Sequence, residues 1–149
     1  MKKVLKSVSI YFIIAAMLTA GAFAAGPVDP IEPQASKYIA KTTTGVVALS
    51  GGKLEFAFDI TATDIMKDVG ALEVYIYEVG VSDPVWYHYY KDPGCGYMMG
   101  HNTSSHTFDV TYTGTPGHKY YANVTFYAGE HGVAGDLHIM GTAIVTAKK

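Results

Sequence analysis

Between Gly114 and Tyr127 the chain reads GTPGHKYYANVTFY, the stretch that most limits what it can fold into. Tyr120, Ala122, Val124 and Phe126 alternate with Tyr121, Asn123, Thr125 and Tyr127. A period of two puts the first set on one side of a strand and the second set on the other, so the segment predicts a strand with one buried face. Pro116 and Gly117 stand just before it and mark a tight turn. Tyr120 is then the first inward residue. Its ring can fill core volume while its hydroxyl turns back to a main-chain group of the corner. Such a strand needs others to cover it.

Candidate partners follow from the same period. Lys53 to Thr61 sets Leu54, Phe56, Phe58 and Ile60 against Lys53, Glu55, Asp59 and Thr61, and His106 to Thr113 turns Phe108, Val110 and Tyr112 inward. Ala71 to Val79 sets Leu72, Val74 and Ile76 against Glu73, Tyr75 and Tyr77. Tyr38 to Leu49 reads as an edge strand kinked at Gly45, and Val85 to Tyr90 as a short aromatic strand with no clear apolar side. In the last strand, Leu137 to Ala147, Ile139, Ala143 and Val145 compete with Met140 and Ile144 for the core. Residues 62–70 predict a structured loop, because Asp64 to Asp68 offers one helical turn at most. Lys91 to Ser105 predicts a loop from its Gly, Pro, Asn and Ser content. Strands spaced roughly ten residues apart, with no helical period, predict an all-β antiparallel sandwich.

The turn Pro116-Gly117 followed by Tyr120 resembles the tyrosine corner of immunoglobulin-like and fibronectin type III domains. Spread over most of residues 38–147, the resemblance implies a two-sheet sandwich of about seven strands, with structural roles for Pro116, Gly117 and Tyr120. The phrase YYANVTFYA from Tyr120 to Ala128 is also similar to the corresponding strand of small exported single-domain proteins of Gram-positive bacteria that have no established activity. What these resemblances imply is architecture.

Residues 1–24 read as a signal peptide: Lys2, Lys3 and Lys6, then an apolar run from Val8 to Leu18, then Ala22-Phe23-Ala24. The apolar run is shorter than the ~20 residues of a membrane span. Residues 25–37, with three prolines, read as a flexible leader, and residues 38–147 as the folded domain. Export to the extracellular space is the expectation, with no membrane attachment after cleavage. The whole chain has 11 Lys+Arg against 13 Asp+Glu; losing three lysines leaves eight against thirteen, a net charge of −5. There is no Arg. A chain without a cationic patch or guanidinium forks argues against a nucleic-acid partner. Cys95 is the one cysteine, so no internal disulfide is possible.

Two groups of residues are candidates for binding. Trp86, Tyr87, Tyr89, Tyr90 and Tyr97 could present an aromatic surface to an extracellular glycan or protein, although aromatic pairs also stabilise sheets with no ligand. Cys95, Met98, Met99, His101 and His131 offer soft ligands for copper(I) or zinc, but lack a paired metal-binding spacing; the ordinary alternative is a loop that fills the open end of the core. Up-and-down topology predicts that residues 62–70, 91–105 and 128–136 gather at one end, bringing Asp64, Asp68, Glu130 and Asp136 there as well. No nucleophile, metalloprotease, phosphate-loop or dinucleotide motif is present. The sequence therefore predicts an exported, non-enzymatic binding or adhesion module without a cofactor, with a metal-binding protein as the alternative.

Overall fold

A computed structural model describes residues 36–130 and 135–149. The predicted signal peptide, all but the last two residues of the leader, and His131 lie outside the described residues. Strands β1 (Ile39–Ala48), β2 (Lys53–Glu78), β3 (Trp86–Tyr89), β4 (Met99–Thr113), β5 (Lys119–Gly129), β6 (Asp136–Gly141) and β7 (Val145–Thr146) form one antiparallel, seven-stranded sheet. A 3₁₀ turn over Gly96–Met98 leads into β4.

The 26-residue β2 organises the sheet. Its first portion, around Lys53–Thr61, lies between β1 and β4; its second, around Asp68–Glu78, pairs with β5 along its length and with β3 at Glu73–Ile76. Both portions bury the same kind of side chain. Leu54, Phe56, Phe58 and Ile60 from the first and Val74 and Ile76 from the second are essentially inaccessible, as are Tyr120, Ala122, Val124 and Phe126 of β5. Phe58 stacks on Phe108 of β4 at 5.1 Å and meets Phe126 edge-on at 6.4 Å. Phe126 has no place beside Phe58 in the strand register, so this contact joins the two portions of the sheet in a single core. Among the described residues no charged or polar residue is buried in it.

The corner before β5 forms as its sequence predicts. Tyr120 is 1% exposed, and its hydroxyl accepts the Thr115 N–H at 2.9 Å and donates to Glu78 at 3.1 Å. Gly114 is part of the same device, since a β-carbon there would land against the Tyr120 ring. His118 holds the other oxygen of Glu78 at 2.7 Å, and that hydrogen bond, followed by the one from Tyr120, keeps the Glu78 carboxyl below its usual range.

Three expectations are corrected. Residues 62–70 are strand, the middle of β2, because β2 exchanges one neighbour for another there: register shifts fall between Thr61 and Met66 against β4 and between Ala71 and Glu73 against β5. Buried positions move accordingly from Ile60, Ala62 and Met66 to Val69 and Ala71, then back to Val74 and Ile76, with Leu72 left half-buried at the bulge. Residues 99–105 are also strand, the start of β4. Gly70 admits this approach, since a β-carbon would collide with the Met98 carbonyl. Finally, β1 runs in register through Gly45, opposite Ala57, and its irregularity lies between Ile39 and Lys41.

The predicted last strand is two strands. Met140 of β6 and Val145 of β7 pack against the core, while Ile139 and Ile144 are 71% and 61% exposed. Thr42 and Thr44 of β1 reach across to Met140 Sδ and the Gly141 carbonyl, linking the edges of β1 and β6 through side chains. Asp136 fastens the beginning of the described chain by accepting from Ser36 Oγ and the Tyr38 N–H.

Candidate binding face

The strand register fixes which aromatic side chains share a surface. In β3, Trp86 and His88 lie opposite the buried Ile76 and Val74, so they belong to the core side; Tyr87 and Tyr89 lie opposite Tyr75 and Glu73 and belong to the outer side. Continuing outward across the sheet, Tyr75 lies opposite Asn123 and Tyr77 opposite Tyr121, and Glu73 lies opposite Thr125, which in turn faces Ile139. Tyr127 lies opposite Leu137. Outer residues of β3, the second portion of β2, β5 and β6 thus form one continuous face. Its edges are open: Tyr87 is 43% exposed, Leu137 60% and Ile139 71%.

The tyrosines of this face stand in a row. Tyr87 stacks on Tyr75 at 4.6 Å and 29°, Tyr75 on Tyr77 at 6.2 Å and 26°, and Tyr77 on Tyr121 at 5.2 Å and 15°. Rings arranged this way turn their faces toward one another and their edges toward solvent. Burial, with Glu73 second, raises the Tyr75 phenol above its usual range, and burial followed by the same carboxylate raises Tyr87. Both phenols are neutral donors at physiological pH.

The five aromatic residues singled out from the sequence do not share one surface. Tyr87 and Tyr89 are on the outer face. Trp86 and Tyr90 pack against the core, Trp86 with its ring 4.0 Å from that of His88. Tyr97 lies on the 3₁₀ turn, edge-on to Phe108 at 6.2 Å. Strand alternation sets Tyr75, Tyr77 and Tyr121 opposite the buried side without assigning them to one row, and nothing in the sequence marks Glu73, Leu137 and Ile139 as parts of the same face. The alternation of Leu137 and Ile139 with His138 and Met140 signals only that the last two share one side of their strand.

The soft-ligand group is dispersed among separate partners. Cys95 is 2% exposed, with His88 Nδ1 at 2.6 Å from its sulfur. Burial, followed by Asp92, pushes its thiol up. Met98 and Met99 are buried, while His101 is exposed and bonds Asp68 at 2.6 Å. Among the described residues, no three His, Cys, Asp or Glu side chains are grouped to hold a metal ion.

Of the three segments, residues 62–70, 99–105 and 128–129 meet as strands: Asp68 lies opposite both His101 and Gly129. Their acids nevertheless have different tasks. Asp64 accepts its neighbour Ile65's N–H, Asp68 holds His101, and Asp136 binds Ser36 and Tyr38. Searches with the sequence find no matching protein-family model and no matching curated protein.

Proposed function

We propose that the chain is an exported, non-enzymatic binding module of immunoglobulin-like or fibronectin type III-like sandwich architecture, whose outer tyrosine face docks an extracellular protein. The observation that carries this reading is the continuity of the face: exposed Tyr87 joins exposed Ile139 through Tyr75, Tyr77, Glu73 and Thr125. Tyrosine and exposed aliphatic residues are typical of protein-binding surfaces, where an amphipathic ring supplies area and a hydroxyl supplies a hydrogen bond. A glycan fits less well. Sugars stack on ring faces, and inside the row Tyr75 and Tyr77 turn theirs to other rings.

Retention on intact cells of the producing organism tests the proposal. The purified chain should be retained, protease treatment of the cells should abolish retention, and Tyr77→Ser with Leu137→Ser and Ile139→Ser should do the same while leaving the fold intact. Retention that survives proteolysis but is lost after glycosidase treatment, or no retention at all, contradicts it.

A further inference from the structure

The tyrosine row ends at Tyr87. Among the described residues β3 pairs only with β2, so Tyr87 has a ring on one side, Tyr75, and a sheet edge on the other. Two carboxylates act on this end. Glu73 lies opposite Tyr89 and accepts from the Tyr75 hydroxyl at 3.3 Å, and Asp92 accepts the Tyr89 N–H at 3.0 Å. Both lie close enough to raise the Tyr87 phenol after burial has done so. Neither has a cation: the ion pairs among the described residues are His101–Asp68 and His118–Glu78. Lys91, the nearby lysine, is placed over the Tyr90 ring at 5.5 Å.

We propose that the Tyr87 end of the row receives a lysine or arginine side chain of a protein partner, its charge neutralised by Glu73 and Asp92 and its stem laid against the Tyr87 ring. The proposal rests on the reading of this face as a protein-docking surface and specifies the chemistry of what docks. An uncovered ring beside two carboxylates that hold no cation among the described residues is attractive to a cation on both counts, by quadrupole and by charge. Lys91 on Tyr90 shows the same chemistry within the chain. A second copy face to face would bring Lys119, the lysine on the outer side of β5, and self-association is therefore an outcome the test distinguishes.

Amide chemical shifts of the whole chain titrated with hexalysine at physiological salt test this. Shifts should concentrate at Glu73, Tyr87, Tyr89 and Asp92 and not at Glu55, Asp59 and Asp109, which are also outer-side carboxylates but have no tyrosine row beside them. Glu73→Gln with Asp92→Asn, and separately Tyr87→Leu, should weaken the localised binding by roughly fivefold or more. Uniform shifts over all acids, or no shift at β3, overturn the proposal. So do chitohexaose shifting the same amides in place of hexalysine, or self-association that Tyr87→Leu abolishes. Cell retention that persists in the Glu73→Gln, Asp92→Asn double variant removes the cation and leaves the protein-docking face standing.

Discussion

On the outer side of the first portion of β2 the rungs of the sheet read Thr43–Asp59–Thr107, Gly45–Ala57–Asp109 and Val47–Glu55–Thr111; on the second they read Tyr87–Tyr75–Asn123 and Tyr89–Glu73–Thr125. One strand carries both, with large apolar residues turned inward along each portion. Packing accounts for the inner faces equally well in the two cases. The outer faces differ: hydroxyls and acids predominate on one, with Val47 exposed among them, Thr107 bonded to Asp59 at 2.7 Å and a shallow depression over Gly45 and Ala57, while a row of stacked rings crosses the other. A sheet needs no tyrosine row to be stable, as the threonine-covered portion demonstrates. The difference is therefore the feature that folding alone leaves unexplained.

The largest effect breaks the comparison by attacking what the two portions share. Phe58→Ala opens a cavity where β2, β4 and β5 meet and should cost about 3–5 kcal/mol, measured by chemical denaturation, with both outer faces losing order together. Tyr120→Phe keeps the ring but removes one hydrogen bond accepted and one donated, and should cost about 1–2 kcal/mol. On the outer sides the portions should separate. Tyr77→Thr with Tyr121→Thr should cost only about 0.5–1 kcal/mol yet abolish cell retention, whereas Asp109→Asn should change stability by less than about 0.5 kcal/mol and leave retention intact.

Acid sharpens the picture further. The carboxyls of Glu78, held by His118 and Tyr120, and of Asp136, held by Ser36 and Tyr38, titrate below their usual range in the fold. Each therefore adds stability above the ordinary carboxylate range, and that stability is lost as the pH falls through the lowered folded value. Glu78→Gln and Asp136→Asn should flatten the acid limb of a stability–pH profile. Equal steepness in wild type and variants contradicts the assignment.

Much of this was legible in the residues themselves. Tyr120, Ala122, Val124 and Phe126 alternate without interruption because the extra residue in the pairing with β2 falls on β2, between Ala71 and Glu73, and the Pro116-Gly117 turn announces the corner. The segment Asp64-Ile65-Met66-Lys67-Asp68 shows no strand period in the sequence, because a strand that bulges twice has no constant period to display. The assignment of Trp86 failed for another reason: with aromatic or imidazole side chains on both sides of β3, hydrophobicity could not tell inside from outside, and only the register against Val74 and Ile76 does so. Cys95 and Met98 are candidate ligands by the softness of their sulfur; in the fold both are buried, and Gly70 of β2 is what lets the Met98 carbonyl approach so closely.

Face-resolved photocross-linking on the surface of the producing cells bears most directly on the claim that the two outer faces have different tasks. A benzophenone side chain replacing Tyr77 should yield a discrete protein adduct, and the same group replacing Asp109 should yield none. Adducts of equal yield from both positions, or an adduct from Asp109 alone, contradict it.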